Sequence, residues 1–122
     1  MGDIALKLND YQEISKRTMP KMVEGQYEIY YSDWSKTNYA MGIAGEAGEV
    51  TDYLKKVLHH GHPMNEEKLK YELGDVLHYV AGICTMYGFR MEEVATLNIM
   101  KLKERYPEGF NVSGSINRKD DK

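Results

Sequence analysis

The chain has 122 residues, 42% hydrophobic and 29% charged, with a formal net charge of −3. That length suits one domain, and the slight acidity removes any general attraction to nucleic acid polymers or anionic membranes. No apolar run is long enough to span a bilayer, no signal-peptide core opens the chain, and a lone cysteine, Cys84, excludes an intrachain disulfide.

Three prolines and few alternating Val, Ile or Thr runs predict an all-α chain. Helix one is expected over about Leu8 to Val23, with Tyr11, Ile14, Met19 and Met22 as its apolar positions and Pro20 disturbing its last turn. Residues 24–36 form an aromatic-rich connector of undetermined form, holding Tyr27, Ile29, Tyr30, Tyr31 and Trp34. Helix two is expected from about Thr37 to His59, ended by Gly61 and Pro63. Asn65 is suited to cap helix three, with Glu66 and Glu67 in the first turn where the helix dipole favours acids. That helix runs to about Tyr87, where Gly88 stops it. Helix four spans about Met91 to Arg105, before Pro107. Residues 1–110 make the domain, and 111–122 read as a polar, disordered tail. Cys84, among Val80, Ile83 and Tyr87, reads as a buried apolar residue of a protein in the reducing cytoplasm.

One short pattern occurs twice. Glu46-Ala47-Gly48-Glu49-Val50-Thr51-Asp52-Tyr53 is echoed, 26 residues on, by Glu72-Leu73-Gly74-Asp75-Val76-Leu77-His78-Tyr79. Each copy sets two acids three residues apart, one turn apart on one side of a helix. Packed together, two such helices concentrate four negative charges, which calls for a divalent cation. Oxygen-only ligation points to Mg²⁺ or Mn²⁺ rather than Zn²⁺.

At about 100° per residue, Ile43, Ala47, Val50, Leu54 and Val57 form one apolar stripe, with Glu46 about 60° and Glu49 about 120° to one side. In helix three, Glu72 and Asp75 take the same offsets from Leu69, Leu73, Val76, Val80 and Ile83. Both acid pairs therefore border the core at a seam. Gly42, Gly45 and Gly48 each cost about 1 kcal/mol relative to alanine within a helix, so a close backbone or ligand is expected there. Glu-x-x-Glu also occurs on solvated helices; the duplication, the equal offsets and the glycines favour a site.

Helix four carries Ala95, Ile99, Leu102 and Tyr106 as its stripe, flanked by Val94, Asn98, Lys101 and Arg105. An amide and two cations in line suit a polyphosphate, although Lys101 and Arg105 also suit pairing with Glu104 or Glu108. Trp34 and the nearby tyrosines are candidates for stacking on a base or for filling a core or subunit interface. Arg17 is a candidate contact to phosphate or sugar. His59, His60 and His62 sit where a helix C-terminus favours them, with or without a metal.

Assembled, these features resemble the MazG-type nucleoside triphosphate pyrophosphohydrolases of the all-α NTP pyrophosphatase superfamily. The likeness runs from about Asp10 to Phe110. It rests on Tyr11-Gln12, Arg17-Thr18, Gly45 through Val50, Glu72 through Val76, and Asn98, Lys101, Leu102 and Arg105-Tyr106-Pro107-Glu108-Gly109-Phe110. The resemblance implies a four-helix-bundle-like fold assembled as a homodimer or homotetramer, with base contacts borrowed from a second subunit. It implies Mg²⁺ held by Glu46, Glu49, Glu72 and Asp75, with Asn98 and Lys101 at the phosphates. The reaction it implies is hydrolysis between α- and β-phosphates to a monophosphate and pyrophosphate, with Glu46 or Glu49 handling the water and Lys101 stabilising developing charge. The alternatives are a relative specific for dUTP, dCTP or phosphoribosyl-ATP, and a non-catalytic, metal-binding helical assembly or regulatory protein. A di-iron bundle expects Glu-x-x-His; His78 follows Asp75 by three, but Asp52 stands at the matching place in helix two.

Overall fold

The computed structural model describes residues 6–119 and is all-α but for one small hairpin. Helix α1 covers Leu8–Ser15, followed by a 3-10 turn over Lys16–Thr18. The expected helix to Val23 stops short there. Met19 is extended (φ −73°, ψ 152°), as the residue before a proline prefers, and Pro20 has no N–H to continue the ladder. The connector is a hairpin, β1 (Val23–Glu24) antiparallel to β2 (Ile29–Tyr30).

Helix α2, Asp33–His60, begins four residues before the expected Thr37 because Ser32 caps it, accepting the Ser35 N–H at 3.1 Å. Gly61, at φ 74°, closes it in the left-handed region. Asn65 caps α3 (Glu66–Met86) by accepting the Lys68 N–H, and Gly88, at φ 73°, turns the chain into α4 (Met91–Arg105). A further one-turn helix, α5 (Val112–Ile116), lies where the sequence suggests no structure; the Asn111 side chain accepts the Gly114 N–H at its start. The last three residues of that expected tail lie outside the described residues.

Helices α2 and α3 form the antiparallel hairpin at the heart of the fold. Tyr39 of α2 lies over Gly82 of α3, and Tyr79 of α3 over Gly42 of α2. The two rings meet edge to face at 4.9 Å. Gly42 thus meets the close neighbour its cost predicts, whereas Gly45 and Gly48 have nothing within 4 Å of an added methyl. At the other end of the hairpin the buried Tyr53 hydroxyl accepts the Asn65 N–H at 2.8 Å.

Helix α1 is a clamp. The buried Gln12 donates to the Phe89 carbonyl (2.7 Å) and accepts the Met91 N–H (2.8 Å). Asn9 and Glu92 exchange backbone-to-side-chain bonds at 2.9 and 3.0 Å. The first N–H groups of any helix lack intrahelical partners; here α1 supplies them for α4. Ala81, Cys84 and Met91 form a small core beneath this clamp, with Tyr11 and Val80 against it.

Candidate functional site

Register along α2 and α3 decides where the acids meet. Between the Tyr39–Gly82 and Tyr79–Gly42 contacts at one end and the Tyr53–Asn65 bond at the other, Glu46 falls opposite Asp75 and Glu49 opposite Glu72. Glu46, Glu72 and Asp75 each offer a carboxylate oxygen within 4.8 Å of the other two. Partial burial, and then the charges of Asp75, Glu72 and Glu49, raise the pKa of Glu46 above the ordinary carboxylate range. Desolvation, followed by the charge of Asp75, raises that of Tyr11, so α1 also borders the acids. Converging carboxylate oxygens, mutually repelling and partly desolvated, fit a hard divalent cation.

Glu49 stands outside that trio. It lines a pocket of about 200 Å³ between the hairpin's helices, together with Glu72, Lys56 and Lys68. Neither lysine stands out in the sequence, although Lys68 precedes Glu72 by one helical turn, a spacing that flags it in retrospect.

The remaining candidates are distributed differently. Asn98 and Lys101 open on a larger, mostly apolar groove of about 530 Å³ between α1, α3 and α4, lined also by Leu77, Val80 and Val94. Arg105 lies over the Tyr106 ring at the far end of α4. Arg17 is exposed in the turn after α1. Its neighbour Thr18 approaches His78, one turn beyond Asp75, at 3.4 Å. Trp34, 72% exposed, sits twelve residues before Glu46, about 18 Å along the helix axis. Asn98 and Lys101 thus line a different groove from the pocket that Glu49 and Glu72 line.

A family model for the MazG nucleotide pyrophosphohydrolase domain matches residues 35–110, which include both acid pairs and helix α4. The chain belongs to this family. Among curated proteins, this MazG domain is similar to the Gene 37 protein of Mycobacterium phage L5. The two are 34% identical over 82 residues, 64% of this chain and 72% of that protein. No solved structure matches the chain. Arg17 and Trp34 precede the segment that the MazG family model covers.

Proposed function

We propose that the protein hydrolyses nucleoside triphosphates between the α- and β-phosphates, giving a nucleoside monophosphate and pyrophosphate. The observation that carries this reading is the convergence of Glu46, Glu72 and Asp75 within 4.8 Å at the helix seam of a MazG domain. Glu46, Glu72 and Asp75, with Glu49 beside them, would hold Mg²⁺, or Mn²⁺ in its place. The bound ion would neutralise phosphate oxygens and orient the leaving group.

The chain's own residues divide the remaining work. Glu46 or Glu49 orients the attacking water and takes its proton. Lys101 stabilises charge developing on the phosphates, and Asn98 binds beside it. Arg105, Arg17 and Trp34 serve the rest of the nucleotide, and they do so across a homodimer or homotetramer. Support for assembly comes from surface the chain leaves uncovered. Val94, Leu97, Ile99 and Met100 of α4 are 40–61% exposed, and the backbone at Gly45, Gly48 and Gly74 faces open space. Exposed apolar side chains of this kind suit an interaction face. A cytoplasmic location is consistent with a described chain in which no helix is long and apolar enough to cross a membrane.

Incubating the purified protein with a panel of NTPs and dNTPs, with and without Mg²⁺, and following products by ³¹P NMR tests the reading. Metal-dependent monophosphate and pyrophosphate are expected. Diphosphate plus orthophosphate, or no turnover with either ion, would overturn it, the latter in favour of a non-catalytic metal-binding assembly.

A further inference from the structure

Besides Lys101 of α4, two lysines on the hairpin itself lie beside the acids. Because α2 and α3 are antiparallel, Lys56 and Lys68 both lie at the loop end of the seam, beyond Glu49 and Glu72. Lys68 is about 6 Å before Glu72 along α3, and Lys56 about 10 Å past Glu49 along α2. All four line the same pocket of about 200 Å³. Its floor is held by Tyr53, whose hydroxyl pins Asn65.

The two ammonium groups are held in place with donors to spare. Lys56 Nζ is 2.9 Å from Asp52 Oδ2, which occupies one of its three N–H donors. Lys68 Nζ lies 5.0 Å over the Tyr53 ring, a contact with the ring face that positions the cation. Glu49, Asp52 and Glu72 against Lys56 and Lys68 leave the pocket lining with one excess negative charge. Glu46 and Asp75 add two more negative charges beside it, which a divalent cation held with Glu72 would offset, and Lys56 and Lys68 are the lysines of this lining. The opposite end of the seam is aromatic, with Tyr39, His78 and Tyr79 in mutual ring contact and Tyr39 buried against Gly82.

We propose that this pocket receives the terminal phosphates of the triphosphate, and then the released pyrophosphate, with Lys56 and Lys68 as its specificity-determining residues. This rests on the hydrolase reading above. In the reaction the bond from the α-phosphorus to the bridging oxygen breaks and one to the water oxygen forms. The bridging oxygen's electron pair leaves with pyrophosphate, and the water proton passes to a carboxylate. Attack is in line, so water and leaving group occupy opposite faces of the α-phosphorus. Pyrophosphate departing past Glu49 and Glu72 puts the water at the Glu46 and Asp75 end. Glu46 is then the carboxylate that orients it.

The test titrates sodium pyrophosphate into wild type, Lys56→Ala, Lys68→Ala and Lys68→Arg by calorimetry, with and without Mg²⁺. It also compares kcat/KM for a nucleoside tri- and diphosphate of the same base. Pyrophosphate should bind wild type only with Mg²⁺, and each alanine variant should bind it about tenfold more weakly, as loss of one charge-assisted contact implies. The preference for triphosphate over diphosphate should fall by a similar factor, and Lys68→Arg should recover part of both. Unchanged pyrophosphate affinity in both alanine variants, or equal loss on the two substrates, overturns the proposal. Lysine-dependent pyrophosphate binding by a wild type that hydrolyses nothing sinks the hydrolase reading and leaves the pocket standing. Triphosphate hydrolysis indifferent to either lysine does the reverse.

Discussion

Replacing Gly82 by alanine puts a methyl group against Cδ2 and Cε2 of Tyr39, and the ring has little room to retreat. Tyr39 is 5% exposed, is edge-on to Tyr79, and donates its hydroxyl to the Thr18 carbonyl at 3.4 Å. Overpacking of this kind costs about 1–3 kcal/mol. Displacing the tyrosine hydroxyl removes a hydrogen bond worth about 1 kcal/mol. Against these, alanine gains about 1 kcal/mol over glycine in a helix interior. The balance is a loss of roughly 2 kcal/mol. An unfolding entropy of ~2.1 cal/mol/K per residue over 122 residues converts each kcal/mol into ~4 °C, so Tm should fall ~8 °C. Thermal unfolding by circular dichroism, at one protein concentration because assembly shifts Tm, measures it. Turnover should fall as well, since Gly82 lies two turns from Asp75 and a hairpin pried open there separates Asp75 from Glu46. An unchanged or raised Tm would refute the register on which the acid site depends.

Gly48→Ala is the opposite case: with nothing within 4 Å of its methyl, the isolated chain should gain about 1 kcal/mol. If a second copy covers that face, sedimentation should instead show a weakened oligomer. Glu46→Gln should stabilise the metal-free protein at neutral pH, because partial burial and then Asp75, Glu72 and Glu49 disfavour the ionised form. A carboxyl pKa raised on folding means that the folded chain holds the proton more tightly. Wild-type stability therefore rises as pH falls through that raised value and levels off below the unfolded pKa. Melting curves in EDTA should show this slope flattened in Glu46→Gln, and Mg²⁺ should no longer raise its Tm; a less stable metal-free variant would count against the cluster. Gln12→Ala strands the buried Met91 N–H and should cost about 2–3 kcal/mol, read as lost hydrogen-exchange protection at that amide.

Much of the local architecture is legible in the chain because its signals act within about a turn. Asn65, Gly61 and Gly88 mark helix ends where they occur, and helix α4 has the expected limits. Two misreadings are equally local. Pro20 ends α1 early by extending Met19, and Ser32 starts α2 early by capping it. The expected apolar stripe is only partly used, for Ala47 and Leu73 remain exposed while Tyr39, Gly42, Tyr79 and Gly82 make the close helix contact.

The sequence by itself determined that this is a MazG-like, all-α chain with two acid pairs, since a spacing of three residues puts both acids on one helical face whatever the rest of the fold does. Only the tertiary structure decided which acids meet, because register is set by contacts such as Tyr39 with Gly82 and Gly42 with Tyr79, 43 and 37 residues apart. The same antiparallel packing brings Lys56 and Lys68 beside Glu49 and Glu72 and leaves Asn98 and Lys101 on another groove. Spacing along one helix orders side chains around its axis. Which of them share a volume with another helix depends on how the two are placed against each other.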